Sequence, residues 1–187
     1  MEKLTVKNRA GLKLCGLSFI PEPMKYLLII CHGFKGAKEN SGHLFPFAAS
    51  LNQLHIGVWA FDFTGSGESE GDFSSITLTR QIQDLQCLID YAEQRFAQPL
   101  LLLGRSFGGT TVIGAAGDPR VTACILWSAP VFLEETFKKG LTTAEYQKLA
   151  ANQPIIHRED NQLVELKPEF FNDFRKHNME QYLSTLK

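Results

Sequence analysis

The stretch that most constrains the fold is Leu100-Leu101-Leu102-Leu103-Gly104-Arg105-Ser106-Phe107-Gly108-Gly109. Four leucines are too few to span a membrane and too apolar for an exposed edge, so the run reads as a buried strand of a parallel sheet. It ends in Gly104-Arg105-Ser106-Phe107-Gly108, a G-x-S-x-G, and the small residues from Gly108 to Ala116 read as a helix. In a strand-to-helix turn this tight, the flanking glycines remove the β-carbons that would collide. Ser106 then stands at the strand end, at a helix N-terminus whose unpaired N–H groups favour developing negative charge. A plain glycine turn is the competing reading, and the strand before and helix after favour the reactive one.

The rest of the chain supplies the sheet that such a strand needs. Residues 3–8 and 12–20 read as an antiparallel hairpin turning at Asn8-Arg9-Ala10-Gly11. Residues 26–31 form a second fully apolar strand that runs into His32-Gly33-Phe34-Lys35-Gly36. A glycine-containing loop in that position can aim a backbone N–H at the point served by the N–H after a nucleophile. A modest helix covers His43 to Leu54, and residues 56–61 form a third strand ending at Phe61-Asp62. Ile82, Leu85, Ile89, Ala92 and Phe96 recur at spacings of three and four and define one face of a long helix over Thr79–Phe96. Val121–Trp127 is another strand. This alternation predicts an α/β fold: a mostly parallel sheet with helices on both faces and functional loops at the carboxyl ends of the strands. His32, Asp62, Ser106 and Ser128 all fall at such ends.

After Pro130 the texture changes. A helix is expected from Val131 to Lys139, then one opened by a capping box, Thr142-x-x-Glu145. A hairpin turning at Glu159-Asp160-Asn161 follows, then a final helix beginning at Pro168. Residues 1–130 thus read as a core and 131–187 as a helical cap inserted over a strand-end site.

Composition narrows the chemistry. The chain has 187 residues, 44% hydrophobic and 21% charged, enough for one domain with a real core. A formal charge of -1 without basic blocks argues against nucleic acid or an anionic membrane as partner. Cys15, Cys31, Cys87 and Cys124 are scattered and read as free thiols in a reducing cytoplasm. The glycine loop Gly65-Ser66-Gly67-Glu68-Ser69-Glu70-Gly71 departs from a dinucleotide fingerprint, and its glutamates would repel a pyrophosphate. No cofactor is expected, and no metal either, since H-E-x-x-H and cysteine–histidine clusters are missing from the sequence.

Taken together, His32-Gly33-Phe34-Lys35-Gly36, Asp62-x-x-Gly65-x-Gly67-x-Ser69-x-Gly71 and Gly104-x-Ser106-x-Gly108 resemble the α/β-hydrolase superfamily. The closest flavour is the bacterial serine hydrolases grouped with cinnamoyl or feruloyl esterases and serine aminopeptidase-like lipases. The resemblance implies Ser106 as nucleophile and the backbone N–H groups of Phe34 and Phe107 as oxyanion-hole donors. It implies a small-molecule ester, thioester or amide substrate, and it gives Asp62 no catalytic role.

A serine hydroxyl needs a histidine to take its proton and an acid to orient that histidine. In the family both follow the cap, acid first, and here the sequence reaches Lys187 where the next strand is expected. The expectation is a hydrolase core shortened at its C-terminus. Among the histidines present, His32 reads as packed against the sheet end, and His43 and His55 as surface or capping residues. His157 and His177 are the candidates for a substitute base, and Glu134 and Glu135 read as solvated helix ends. Two functions survive: an esterase acting through an acyl-enzyme on Ser106, or a catalytically inactive chain that binds a ligand or partner. The strand ending at Trp127 would be a naked edge, through which a homo-oligomer is expected.

Overall fold

A computed structural model describes residues 1–159 and 162–186. A six-stranded sheet organises residues 1–127, in the order β1-β2-β4-β3-β5-β6. The strands are β1 (Glu2–Lys7), β2 (Lys13–Phe19), β3 (Tyr26–Cys31), β4 (Ile56–Phe61), β5 (Leu100–Arg105) and β6 (Val121–Trp127). β1, β2 and β4 pair antiparallel, whereas β3 pairs parallel with β4 and β5, and β5 with β6. The apolar runs of β3, β4 and β5 therefore occupy the centre, as expected for strands covered on both faces.

Helices α1 (Leu44–Asn52), α2 (Leu78–Phe96) and α3 (Phe107–Ala115) connect the strands. α2 packs its Leu85, Leu88, Ile89 and Ala92 against the sheet together with Val112 and Ala115 of α3. α2 starts at a Thr77 side chain that accepts from the Arg80 amide, and stops at Ala97 in the left-handed conformation. On the opposite face Leu44 and Ala48 of α1 cover Val58 and Ala60 of β4. That face is thinly covered beyond β3. Ile125 and Trp127, which pair beside Leu103 and Arg105, are 49% and 65% exposed.

The segment after β6 builds a second layer beyond the sheet ends. It contains α4 (Leu133–Lys138), α5 (Thr143–Ala150), the hairpin β7 (Ile155–Glu159) and β8 (Gln162–Leu166), then α6 (Pro168–Phe174) and α7 (Met179–Leu183). The capping box at Thr142 and Glu145 is present with both reciprocal bonds. Of the expected hairpin turn, Asp160 and Asn161 lie outside the described residues. The single final helix expected from Pro168 is two. Asn178 leaves helical geometry and caps α7 by accepting from the Gln181 amide, and His177 is turned back onto α6. Leu133, Ile155, Leu166, Phe170 and Phe174 pack with Phe107, Ile76, Leu78 and Ile82, so this layer rests on α2 and α3.

Cys15, Cys31 and Cys87 are free thiols. Among the described residues, no helix is long and apolar enough to cross a membrane.

Candidate active site

Ser106 occupies a strained turn between β5 and α3, with φ +52° and ψ −125°. Such a conformation costs a non-glycine residue on the order of 1–3 kcal/mol and persists only where the surroundings hold it. Two glycines make the turn possible. A β-carbon on Gly108 would stand 2.3 Å from the carbonyl oxygens of both Cys31 and His32, and one on Gly104 would stand 2.4 Å from the Gly108 carbonyl oxygen. The start of α3 is thus pressed against the end of β3. Ser106 donates its amide to the Trp127 carbonyl at 2.8 Å, which ties the turn to the end of β6.

The loop after β3 meets this turn directly. A β-carbon on Gly33 would lie 3.2 Å from Ser106 Cβ and 3.8 Å from Ser106 Oγ, so the loop backbone runs beside the hydroxyl. Among the described residues, neither the Phe34 amide nor the Phe107 amide has a protein acceptor. Two backbone donors therefore lack a protein acceptor, one in the residue after Gly33 and one at the first residue of α3.

His32 fixes the loop. Its Nδ1 lies 2.8 Å from the Gly33 carbonyl oxygen, and its Nε2 lies 3.2 Å from the Phe63 amide nitrogen. The carbonyl can only accept and the amide can only donate, so the proton resides on Nδ1 and Nε2 accepts. The ring is buried, and loss of hydration pushes its pKa below the usual histidine value. As expected, His32 is a packed residue at the sheet end, and it staples the β3 loop to the β4 loop.

Lys38 makes a second staple that the sequence did not disclose. Its side chain is 1% exposed, and its ammonium donates to Asp62 Oδ2 at 2.8 Å and Glu68 Oε2 at 2.7 Å. Asp62 also accepts the amides of Lys38 at 2.7 Å and Glu68 at 2.9 Å. Burial opposes the charged lysine, but its bonds to Asp62, Glu39 and Glu68 win and hold its pKa above the ordinary value. Asp62 thereby ties the loop after β3 to the loop after β4. The only available signal was the acidic loop facing a lysine 24 positions earlier.

A cavity of about 1020 Å³ opens beside Ser106, lined by Gly33, Lys38, His43, Phe47, Leu103 and Trp127 among others. It runs along the thinly covered face of the sheet, on the α1 side. The aromatics of the layer after β6 do not line it. Phe137, Phe170 and Phe174 are packed with one another, and Phe132 and Tyr146 are exposed.

His55, His157 and His177 are turned to other partners. His157 Nδ1 lies 3.0 Å from Glu145 Oε1. His177 bonds Asp173, Thr79 and Tyr182, and His55 Nδ1 faces the Pro23 carbonyl. His43 lines the Ser106 cavity, and among the described residues no histidine hydrogen-bonds the Ser106 hydroxyl. Glu134 pairs with Lys138 and Arg175, which lower its pKa, and so serves as a surface ion pair. Among the described residues, no group of three or more His, Cys, Asp or Glu side chains is placed to hold a metal ion.

The family model described as "Serine aminopeptidase, S33" matches residues 22–179. A 31.7 kDa protein encoded in the traX-finO intergenic region of Escherichia coli is 33% identical over 104 residues, 54% of this chain and 35% of that protein. Monoglyceride lipase of Rattus norvegicus is 29% identical over 112 residues, 58% of this chain and 36% of that enzyme. The chain thus spans little more than a third of the curated relatives it matches. Est1E of Butyrivibrio proteoclasticus, solved with ferulic acid bound, superposes with a TM-score of 0.81 at 23% identity, covering 96% of this chain and 73% of that one.

Proposed function

The chain belongs to the serine aminopeptidase S33 family, within the α/β-hydrolase superfamily, and on that premise we propose that it carries the acylation site of a carboxylic-ester hydrolase. Ser106 is the nucleophile, and the amides of Phe34 and Phe107 receive the oxyanion. Residues 1–130 are the hydrolase core and the segment from 131 onward is its cap. The observation that carries this reading is the pair of amides without a protein acceptor beside a strained serine.

In the proposed step a base takes the Ser106 proton while Oγ bonds to the ester carbonyl carbon. The carbonyl oxygen gains the electron pair and accepts from the two amides, and the alcohol departs with the proton as the carbonyl reforms. Preorganised donors of this kind are worth about 10²–10³ in rate each, because they point at charge that exists only in the transition state. Such a site accepts thioesters, esters and small amides, in falling order of leaving-group ease. The relatives called monoglyceride lipase and Est1E favour a carboxylic ester.

The base is the missing element of the described arrangement, and the cavity beside Ser106 has room for an imidazole. Hydrolysis of p-nitrophenyl butyrate by this chain is therefore expected to be slow alone and to rise saturably with added imidazole. The part of the increment above imidazole's own reaction with the ester should vanish in Ser106→Ala. An imidazole response equal in the chain and in Ser106→Ala would contradict the proposal and favour the second reading, a chain that binds without turnover. That reading is supported by the diversion of His32, His55, His157 and His177 to other partners.

A further inference from the structure

Phe34 and Phe107, whose amides flank Ser106, also send their rings into one aromatic cluster. Their centroids are 6.4 Å apart with the planes at 81°. Phe170 of α6, fully buried, touches both: its ring lies 5.4 Å from that of Phe34 and 5.6 Å from that of Phe107. Phe137 of α4 does the same at 5.4 and 5.3 Å, and packs on Phe170 at 5.0 Å. The two residues that present the donors are thus clamped by side chains of the layer above the sheet ends, in edge-to-face and tilted contacts that are favourable beyond burial.

A separate polar latch seats that layer. Asp173, 2% exposed at the end of α6, accepts from the Thr79 amide at 2.8 Å and the Thr79 hydroxyl at 2.8 Å, in the first turn of α2. His177 Nε2 lies 3.2 Å from the same carboxylate and Lys176 Nζ 3.1 Å. The latch holds α6 at a fixed height above α2 and α3, and so places the Phe170 ring against Phe107.

We propose that Phe170 is a positioning residue for the two amides, so that the seating of the layer after β6 sets how well an oxyanion is held at Ser106. The residue touches no substrate and acts through Phe34 and Phe107. The loop carrying Phe34 has its staples at His32 and Lys38, and between them the Phe34 ring packs into the same aromatic cluster. Removing the Phe170 ring leaves that turn anchored at its ends and loose at its donor. The proposal rests on reading those amides as oxyanion donors, so its test has one readout that needs chemistry and one that does not.

The experiment compares the 187-residue chain with Phe170→Leu and with Asp173→Asn, the second unseating α6 without removing a ring. In the first readout, backbone ¹⁵N order parameters of Phe34 and Phe107 should fall in both variants from the rigid range near about 0.85 toward about 0.6, while Ile29 and Leu102 in the sheet stay rigid. In the second, the limiting rate of Ser106 modification by a fluorophosphonate in the presence of imidazole should fall about tenfold at unchanged half-saturation. Loss of order confined to residues 133–186 would overturn the proposal, as would a change in half-saturation alone. Absence of modification in the parent chain would count against Ser106 as nucleophile, and the order parameters would then decide the positioning role by themselves. If Phe170→Leu fails to fold, Asp173→Asn carries both readouts.

Discussion

Ser106 donates its amide to the carbonyl of Trp127 at 2.8 Å, and both Ser106 and Ser128, the residue after Trp127, adopt a φ of +52°. Two neighbouring strand ends are therefore held together in backbone conformations that side chains disfavour, and both line the cavity beside the hydroxyl. Strain at such a place is stability given up for geometry.

Ser106→Gly should relieve it. Ser106 makes no side-chain cap for α3, so nothing is lost on deletion. Relief of about 1–3 kcal/mol against the roughly 0.5–1 kcal/mol entropic cost of glycine leaves a gain of about 1 kcal/mol. The melting temperature should rise by about 2–4 °C for a chain of this size, while all Ser106 chemistry disappears. A lower melting temperature would show that the turn is not strained.

The Lys38 staple should dominate the stability of the loops. Lys38→Met leaves Asp62, fully buried, without its charged partner and should cost about 3 kcal/mol. Lys3 also bonds Glu68, at 2.6 Å, but between exposed side chains. Lys3→Met should leave the urea midpoint nearly where it was. Equal effects of the two substitutions would contradict the assignment of Lys38 as the buried staple.

His32 should make the fold acid-sensitive. Burial lowers its folded-state pKa, so between the unfolded value near about 6.5 and the lower folded value the unfolded chain binds the extra proton. Stability is then fully present above about pH 6.5 and falls as pH drops below it. His32→Asn has no proton to take up in this interval, so its urea midpoint should lose that slope between about pH 7 and 5. An unchanged slope in the variant would place the acid sensitivity elsewhere.

The sheet was legible because its signals are local. The apolar runs of β4 and β5 end at Asp62 and Gly104, and a strand covered on both faces needs little else to be recognised. The tight turn at Ser106 was legible for the same reason, through glycines whose absent β-carbons make room for Cys31 and His32. What stayed hidden depends on distant partners. The protonation of His32 is decided by the Phe63 amide, 31 residues away, and the break between α6 and α7 by Asn178 capping and by His177 bonding back to Asp173. The aromatics after β6 illustrate the limit: their spacing alone could not say that the Phe137 and Phe170 rings pack on those of Phe34 and Phe107. Nor did periodicity show that the cavity at Ser106 opens toward α1.

Strand β6 should pair with a second copy. It is the last strand of the described sheet, and Ile125, Leu126 and Trp127 are exposed along it. Sedimentation velocity should show concentration-dependent association that is lost in Ile125→Lys/Trp127→Lys, since edge charges block strand addition. A parent chain that sediments as a monomer throughout would rule the pairing out.

The most direct test of the account is the site of fluorophosphonate attachment, read by intact mass and peptide mapping of the folded chain with and without imidazole. The account predicts a single adduct on Ser106, faster with imidazole and absent in Ser106→Ala. A folded chain that stays unmodified in both conditions, or an adduct that survives in Ser106→Ala, would contradict it.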